Sequence, residues 1–535
     1  MLNSHNINAN TLIFATVLLL GLVLAVVIGD SVASGRYAYL GIAILLFLGV
    51  PLGLKLGTNF WILIVLTSAA DGKLGFVPLP LNLSEICIMV AGVLFALHVI
   101  LRRIDLKVSL HLTDKLVFMN LAWLVVTFIK NPTGLSFLGS DMVGGRKYIV
   151  MGMAFAAYFI LSRCRIPSKG AYYLPVLLAI GFAAPSALQS VATVSPQLGE
   201  AVSRVYYVQV QEATQAIATQ GAMGTEMRVF GLERTALPFF LAMCAYYAPI
   251  TFINPLYPLR VLGTLVCFVL VGLSGFRSYL LAMAGYAAVS IWLRGRMRDF
   301  IPLGVVALFG LAALAAAVQS GVRVPLTIQR ALSVLPLGWD QEAAQDADST
   351  TTWRVDMWRD AWNDPNYFRD KVFGDGFGFT QQELTIFANE MIGLQGLMGV
   401  SNTYEMFMIR GSLHNGPLSS LRYGGFVGLI LLTALMIATV IYAVKIVRAS
   451  LGTVYAPIAF FTAIPLLYEL FAFFAIIGAY DQHMAQYFLG LGVLNLINRS
   501  LPRPVGATSK PRRQLTPAPV AVPSPAVPVP TAQLR

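Results

Sequence analysis

Two arginines and a histidine lie where apolar runs of the sequence meet its polar connections. Arg277 stands in the run GLSGFRSY, His414 in SLHNGP, and Arg422 at the start of the next apolar run. A guanidinium binds phosphate oxygens through two hydrogen bonds and keeps its charge when partly buried. A neutral imidazole is a general base near neutral pH, and nearby Arg277 and Arg422 would keep His414 neutral. The three residues predict a site for a lipid pyrophosphate with a base beside it.

Arg228 and Arg234 add two cations just before the apolar run that starts at Ala236. Glu233 lies beside Arg234, which favours a local ion pair for that residue. A simpler interpretation exists for Arg277, whose long side chain would reach the lipid headgroups from a short hairpin. Both interpretations of these cations stay open from the sequence alone.

Other polar residues give weaker signals. Asp346 and Asp348 form a D-A-D triplet of the kind that binds metal in some enzymes, but it lies in a polar stretch typical of a solvated loop. Asp481 and His483 lie in the short connection before the last apolar run, where we expect them to be exposed. The sequence contains no GxxxxGK[ST] run, so it indicates no nucleotide-driven pump.

The elements that position these residues have to be membrane helices. Of the 535 residues, 57% are hydrophobic and 12% are charged, with a mean hydropathy of +0.72. Soluble domains carry about 25% charged residues, which excludes a cytosolic enzyme, a disordered scaffold and a secreted disulfide-rich module. The net charge of +12 fits the cytoplasmic lysine and arginine bias of multi-pass proteins better than nucleic-acid binding.

Apolar runs long enough to span a bilayer predict an all-α polytopic membrane protein with about 12–14 transmembrane helices. The short run Phe60–Ala70 is the doubtful member. Counting it puts both termini and all the lysine and arginine clusters on the cytoplasmic side. The other predicted spans are Thr11–Ile28, Tyr37–Leu54, Ile86–Leu101, Leu116–Ile129, Tyr148–Leu161, Ala171–Val191, Ala236–Ile253, Leu259–Leu273, Tyr279–Leu293, Ile301–Val318, Tyr423–Val444, Tyr455–Ile477 and Met484–Ile497.

Two long connections, 192–235 and 319–422, then face the outside. The second holds 12 of the 25 acidic residues and four of the seven tryptophans. Loops of this length are usually functional or disordered, and the helical spacing of Trp353, Met357 and Trp362 predicts an amphipathic helix or a lid. The chain divides into N-terminal transmembrane helices (1–191), a first outer loop (192–235), central transmembrane helices (236–318), a large catalytic outer loop containing short helices (319–422), C-terminal transmembrane helices (423–498) and a basic, proline-rich tail (499–535) that we expect to be disordered and cytoplasmic.

Several motifs follow one another in a fixed order. They are Arg-x-x-Gly at Arg228, Ser-x-x-Arg-Ser at Arg277, Arg-x-x-x-Trp from Arg354 to Trp358 in the large loop, His414-Asn415, and Arg-x-Gly-Gly-x-x-Gly from Arg422. This order resembles the O-antigen ligase and O-antigen polymerase superfamily of bacterial envelopes. The resemblance covers about Arg228–Val444, and the earlier spans match in hydropathy alone.

The resemblance implies transfer of a glycan from an undecaprenyl-pyrophosphate carrier onto an acceptor hydroxyl, in surface polysaccharide assembly. It places the two outer loops and the site at the periplasmic face of the bacterial inner membrane. His414 would activate the hydroxyl, with Arg277 and Arg422 as the other catalytic residues. The substrate-binding residues that it implies are Arg228, Arg234, Arg354, Asn415 and Trp358. The usual asparagine-proline after the first arginine motif is absent, so Arg228 and Arg234 stay alternatives for the first donor-binding arginine.

The enzyme implied by the resemblance is a metal-independent membrane glycosyltransferase without a cofactor. Its partners would be the carrier-linked glycan, an acceptor glycan or lipid, and the bilayer, with no nucleic acid. Three acceptors stay open: another carrier-linked repeat, as in a polymerase, lipid A core, as in a ligase, or a protein hydroxyl. A secondary transporter or lipid flippase is the alternative from a different class, and it would use acids within its spans, such as Glu469, for ion coupling.

Overall fold

The structure, a computed structural model, describes residues 55–70, 72–74, 81–104, 111–131, 145–195, 197–198, 206–207, 229, 231–322, 324–332, 339, 341–378, 408, 411 and 413–502. The predicted spans Thr11–Ile28 and Tyr37–Leu54 and the candidate Arg228 lie outside these residues, as does the tail beyond Pro502. All the helices belong to one compact unit that ends at Ser500.

The described residues fold into helices that follow the predicted apolar runs. In chain order the helices are α1 (Trp61–Ala69), α2 (Leu83–Ile100), α3 (Leu112–Lys130), α4 (Gly145–Leu161), α5 (Leu174–Val194), α6 (Leu232–Tyr246), α7 (Pro258–Ser274), α8 (Arg277–Leu293), α9 (Phe300–Gln319), α10 (Leu326–Leu332), α11 (Gln341–Asn363), α12 (Gly416–Ser450), α13 (Ala456–Ala475) and α14 (Tyr480–Ser500). A four-residue helix lies at Ser168–Ala171, and 3₁₀ turns lie at Gly57–Phe60, Pro249–Phe252 and Met297–Asp299. Lys73–Leu74 and Tyr206–Tyr207 pair as a two-residue antiparallel ladder.

Six helical segments in the described part of the chain are long and apolar enough to cross a bilayer. They are Leu83–Ile100, Leu112–Lys130, Ser168–Val191, Met297–Gln319, Gly416–Ser450 and Ala456–Ala475. Two further helices, Gly57–Ala69 and Pro258–Ser274, are apolar but shorter. The chain is therefore an all-α, multi-pass membrane protein, as the sequence predicts, and its apolar helices indicate a lipid bilayer as their environment. α9 buries none of its side chains, which suits a helix that faces lipid.

Each predicted span within the described residues coincides with a helix, but two boundaries differ in an informative way. α6 ends at Tyr246 because the next residue is extended before the 3₁₀ turn that begins at Pro249. α12 begins at Gly416, seven residues before the predicted start at Tyr423, because Asn415 caps it and a proline occupies its first turn. α12 is interrupted at Gly425, and the 25 residues that follow the interruption are about 38 Å long at 1.5 Å per residue, which already exceeds the hydrocarbon thickness of about 30 Å. One end of α12 therefore extends beyond the hydrocarbon.

The buried Glu85 carboxylate, near the start of α2, is paired locally. α2 begins with a capping box, in which the Glu85 carboxylate accepts a hydrogen bond from the Asn82 N–H at 2.8 Å. Arg146, at the start of α4, lies 3.2 Å from the same carboxylate and neutralises it. Glu85 thus has a structural role at the contact between α2 and α4.

The helices that carry the candidate site pack against one another. α12 packs against α3, α13 and α14, and α8 packs against α6, α12 and α13. α11 packs against α10, which in turn packs against α7 and α8. A small apolar core joins α11 to the start of α12 and consists of Met357, Ala361, Phe368, Met408, Leu413 and Leu421. This core fixes the position of α11 relative to the turn that carries His414.

Candidate functional site

α12 is broken at Gly425, and the glycine-rich segment 370–378 docks on the break. Gly425 has φ +65° and ψ −171°, which is not helical. Four backbone hydrogen bonds join the segment to the break: Asp375 N–H to Arg422 O at 2.7 Å, Gly376 N–H to Tyr423 O at 3.0 Å, Phe426 N–H to Lys371 O at 2.8 Å and Val427 N–H to Val372 O at 3.3 Å. These bonds satisfy backbone groups that a broken helix would otherwise leave unpaired.

Glycine is required at the two positions where these backbones meet. Gly374 and Gly425 have φ values of +79° and +65°, in the region that side chains rarely adopt. A Cβ on Gly374 would lie 2.4 Å from the Gly425 nitrogen, and one on Gly425 would lie 2.2 Å from the Val372 carbonyl oxygen. The glycines of this region therefore permit close packing of the segment on α12.

The end of α3 holds the same segment from another side. Lys130 Nζ lies 2.5 Å from the Asp370 carboxylate and donates a hydrogen bond to the Gly374 carbonyl oxygen at 2.9 Å. Asn131 Nδ2 donates to the Asp375 carbonyl oxygen at 2.8 Å. The segment is thus fixed between α3 and α12.

Arg422, predicted as a catalytic cation, is buried in this docked region. It is 3% exposed, and its Nη1 donates a hydrogen bond to the Tyr367 carbonyl oxygen at 2.8 Å. A buried guanidinium is stable when acceptors of this kind surround it. These contacts give Arg422 a role in holding the connection between α11 and α12 against the start of α12.

His414 lies in the turn before α12, and α11 holds that turn in place. Trp358 Nε1 donates a hydrogen bond to the Leu413 carbonyl oxygen at 2.7 Å. The Trp353 ring centroid lies 6.4 Å from that of His414. His414 has φ +50°, an uncommon conformation for a residue with a side chain, which costs about 1–3 kcal/mol and clusters at functional sites.

Two predicted substrate ligands help to build this turn. Asn415 Oδ1 accepts a hydrogen bond from the Leu418 N–H at 3.0 Å and so caps α12. Trp358 fixes the Leu413 carbonyl, as described above. Trp353, which the sequence assigned to the amphipathic face of α11, instead supplies the aromatic neighbour of the His414 ring. The helical spacing of Trp353 predicted α11. Spacing alone does not predict that the Trp353 ring lies near the His414 ring.

The pKa of His414 is lowered to about 4, because burial disfavours the imidazolium and Arg354 repels it. The sequence predicted a lowered pKa for His414, but it attributed the effect to the charges of Arg277 and Arg422 rather than to Arg354. His414 is therefore neutral at physiological pH, and a ring nitrogen can accept a hydrogen bond from a hydroxyl group. An imidazole with so low a pKa holds a transferred proton weakly.

Arg354, on α11, connects His414 electrostatically to Arg277. Burial and the charge of Arg277 lower the pKa of the half-buried Arg354 guanidinium. Its Nε is buried and makes no hydrogen bond within the described residues. An unpaired buried donor on a charged group is costly, so this atom is suited to an anionic ligand that supplies an acceptor.

Arg277 is the first residue of α8, where the helix dipole and the open N–H groups favour an anion. Two residues later, the Tyr279 hydroxyl accepts a hydrogen bond from Arg234 Nε at 3.2 Å. The Arg234 side chain is 59% exposed and lies 3.9 Å from the Glu233 carboxylate. Arg234 therefore lies beside the start of α8. Glu233 neutralises part of its charge, as expected from the local ion pair that the sequence favours.

An apolar cavity of about 270 Å³ lies between α1, α5, α6, α8, α13 and α14. Its lining includes Val65, Leu178, Leu241, Tyr286, Pro465 and Leu489. Tyr286 follows Arg277 by nine residues on α8, a rise of about 13.5 Å. One helix thus links the cationic cluster to an apolar space of the size that part of a lipid chain fills.

A second titratable pair, Glu469 and His483, lies in the helix bundle. Glu469 Oε2 is 3.3 Å from His483 Nε2. The prediction that His483 is exposed is wrong: α14 already begins at Tyr480, and His483 is 6% exposed and lies against the Phe473 ring at 5.0 Å. The helical spacing of Tyr480, His483 and Tyr487 on one apolar face was the sequence signal for this burial.

The charge of Arg354 acts on His414, the charge of Arg277 acts on Arg354, and Arg234 lies beside the start of the helix that Arg277 begins. The other predicted site residues in the described chain hold the loop and the turn. The cluster combines positive charge, a helix N-terminus and a neutral imidazole, so it can bind a phosphorylated group and orient a hydroxyl. No family model matches the chain, and a search of curated proteins finds no match.

Proposed function

We propose that this protein is a membrane glycosyltransferase that moves a glycan from an undecaprenyl-pyrophosphate carrier onto an acceptor hydroxyl in surface polysaccharide assembly. The observation that carries the proposal is Arg354, whose buried Nε has no hydrogen-bond partner in the described structure, although the residue interacts with both Arg277 and His414. Neighbouring guanidinium groups repel one another unless an anion compensates them. A pyrophosphate supplies that charge and accepts bidentate hydrogen bonds.

The amphipathic shape of the carrier also agrees with the site. Its charged head would lie at the start of α8, near Arg277, and its polyprenyl chain would enter the apolar cavity beside Tyr286. The order of the motifs in the sequence supplies the remaining part of the proposal, which is that the head carries a glycan.

The transfer is a single displacement in this proposal. The acceptor oxygen forms a bond to the anomeric carbon, the bond between that carbon and the phosphate oxygen breaks, and the carrier leaves as its pyrophosphate. Arg277 and Arg354 stabilise the charge that grows on the leaving phosphate. Neutral His414 accepts a hydrogen bond from the hydroxyl and orients it for attack. As the new bond forms, the imidazole takes the hydroxyl proton and passes it on to the departing pyrophosphate or to solvent.

On the predicted topology the site lies at the periplasmic face of the inner membrane. A second carrier-linked repeat, lipid A core and a protein hydroxyl all present the same nucleophile. The glycan that accumulates on its carrier in cells lacking the protein, and the surface polymer that they lose, would distinguish these acceptors.

The experiment for donor recognition measures the binding of undecaprenyl pyrophosphate to the purified full-length chain in nanodiscs. We expect Arg354→Ala to weaken binding about 10- to 100-fold, because it removes a charge-assisted hydrogen bond. Arg359→Ala is the matched control, since that arginine lies on the same helix with a 61% exposed side chain paired to Asp356. Equal binding by the two variants, or no binding by the folded wild type, would contradict the proposal.

A further inference from the structure

Four exposed apolar side chains lie on α11 and on the segment 370–378. Val355 and Trp362 of α11 are 48% and 42% exposed, and Val372 and Phe373 of the segment are each 51% exposed. These four residues are called the apolar strip below. Exposed apolar side chains that lie together mark a contact with a membrane or with another protein.

Lys371 joins the two halves of the apolar strip. Its Nζ donates a hydrogen bond to the Trp362 carbonyl oxygen at 2.8 Å and lies 4.2 Å from the centroid of the Trp362 ring. Val372 and Phe373 follow Lys371 directly in the chain. Val355 precedes Trp362 by seven residues, which places both on the same side of α11, about 10.5 Å apart along its axis. The strip therefore runs from the segment along one side of α11.

The apolar strip continues the lipid-facing side of α3. This helix is one of the segments able to cross a bilayer, and its Val126 and Ile129 are 47% and 71% exposed. The Phe373 ring centroid lies 6.1 Å from the Trp123 ring and 5.9 Å from Lys130 Nζ. Val126 follows Trp123 by three residues and precedes Lys130 by four, so all three lie on one side of α3. Phe373 therefore borders a surface that faces lipid.

The position of the strip along α3 corresponds to the boundary between hydrocarbon and headgroups. Lys130 is the last residue of α3 and of its candidate span. A lysine at the end of a span extends its ammonium group to the headgroups, and the Phe373 ring lies against this lysine. Trp362 has an apolar ring with a single N–H donor and belongs to the residue type that is enriched at this boundary.

Lys371 supplies a cation that matches the phosphate of a lipid headgroup. It makes no ion pair within the described part of the chain. Its ammonium group has three donors, of which the Trp362 carbonyl oxygen takes one. Arg359 on α11, by contrast, is paired with Asp356. Lys371 is thus available to bind an anionic oxygen beside the strip.

We propose that the apolar strip lies in the interfacial region of the leaflet at the Lys130 end of α3, with Lys371 bound to a phospholipid phosphate. The bilayer is the occupant of this surface because the strip is continuous with a helix face that lipid covers. The contact holds α11 at the level of the headgroups. Arg354 directly precedes Val355, so the same contact keeps its guanidinium at the depth of lipid phosphates. This role goes beyond the proposed function and does not require transfer of a glycan.

The test places a nitroxide label at single cysteines of the full-length chain in nanodiscs of phosphatidylcholine and phosphatidylglycerol. The four native cysteines are replaced, and the strip positions are Val355→Cys, Trp362→Cys and Phe373→Cys. Asp360→Cys is the control, since Asp360 is exposed and lies two residues before Trp362, about 160° away around α11. Electron paramagnetic resonance compares the collisions of each label with oxygen, which concentrates in lipid, and with a nickel chelate, which stays in water.

We expect the three strip labels to collide more often with oxygen than with the nickel chelate, and the Asp360→Cys label to show the reverse order. Lys371→Gln should raise the nickel accessibility of the Val355→Cys label, because it removes the charge that binds the phosphate. Lys371→Arg keeps that charge and should leave the accessibility unchanged. If Trp362→Cys does not fold, Val355→Cys and Phe373→Cys decide the same question.

Strip labels as accessible to the nickel chelate as the Asp360→Cys label would overturn the proposal, because the strip would then face water. Low accessibility to both reagents would also overturn it, since another part of this chain or a second copy would then cover the strip. Equal effects of Lys371→Gln and Lys371→Arg would contradict the binding of Lys371 to a phosphate. A failure of the proposed function would leave these accessibilities as they are, because the measurement contains no substrate.

Discussion

Arg277 and Arg354 come from different helices and still affect one another electrostatically. Such an arrangement is stable when an anion lies between the charges or when water screens them. The buried Nε of Arg354 favours the first explanation, because water does not reach it. The planar, five-donor guanidinium is the group that this geometry requires.

We expect Arg277→Lys to abolish most transfer activity while the protein still inserts and folds. Lysine keeps the charge at the start of α8 but loses the fork that binds two phosphate oxygens at once. Initial rates with saturating acceptor and a melting curve measure the two effects separately. Arg260→Lys is the control, since Arg260 lies near the opposite end of α7 and stacks on Tyr247 and Tyr257. Equal activity in the two variants would reduce Arg277 to a headgroup anchor.

His414 should remain neutral at pH values where an ordinary histidine is charged. Its pKa is lowered to about 4 in the folded protein, whereas an unfolded chain binds the proton near pH 6.5. By linkage, His414 therefore reduces stability as the pH falls from about 6.5 toward 4 and has no such effect above that range. Histidine NMR signals, assigned with His414→Gln, measure the titration. A midpoint near 6.5 would contradict the burial of this ring beside Arg354.

The sequence indicated which residue types are candidates for a site, but it did not indicate which residues they contact. Arg277 and His414 stood out because a charge and an imidazole next to apolar runs are rare. The link through Arg354 was not predictable, since it depends on the way α11 folds back over the turn before α12. The burial of Arg422 depends on the same long-range contact with Tyr367.

At the scale of elements, α12 does two things that an uninterrupted membrane helix cannot do. Its break at Gly425 accepts the segment 370–378, and its capped start presents His414. Hydropathy predicts the apolar part of α12, because burying about 20 residues in hydrocarbon requires a helix. Hydropathy does not predict the break, which follows from backbone groups on another part of the chain.

Gly425→Ala should destabilise the docked segment more than a substitution at a comparable glycine. The new Cβ would meet the Val372 carbonyl oxygen at 2.2 Å, in addition to the strain of a positive φ. Gly452→Ala is the matched control, because Gly452 has φ +75° and no atom within 4 Å of the position of a Cβ. The measurements are the melting temperature and the rate of tryptic cleavage after Lys371. Equal effects of the two substitutions would show that backbone strain alone is responsible.

At the scale of the whole molecule, the orientation in the membrane decides which substrates the site can reach. We expect an impermeant maleimide added outside intact cells to label Gln345→Cys on α11 but not Ser168→Cys, in a background where the four native cysteines are replaced. Ser168 is an exposed residue at the start of the four-residue helix before α5, next to a basic cluster that we place in the cytoplasm. Permeabilised cells give the control, in which both positions react. Labelling of Ser168→Cys alone in intact cells would reverse the orientation.

The fold class and the helix positions were predictable because a bilayer leaves helices as the main solution for an apolar chain of this kind. The apolar cavity and the Glu469–His483 pair were not, since both arise where several distant helices meet. Glu469 was visible as an acid within an apolar run, but its neighbour lies in α14, outside any local pattern.

The central claim is tested most directly by single-turnover transfer with the purified chain in nanodiscs, a carrier-linked glycan as donor, EDTA and no nucleotide. We expect the wild type to release undecaprenyl pyrophosphate in step with the appearance of glycosylated acceptor, and Arg277→Lys to release almost none. A folded wild-type protein that binds undecaprenyl pyrophosphate and yet transfers no glycan to a carrier-linked repeat, lipid A core or protein acceptor would contradict the claim.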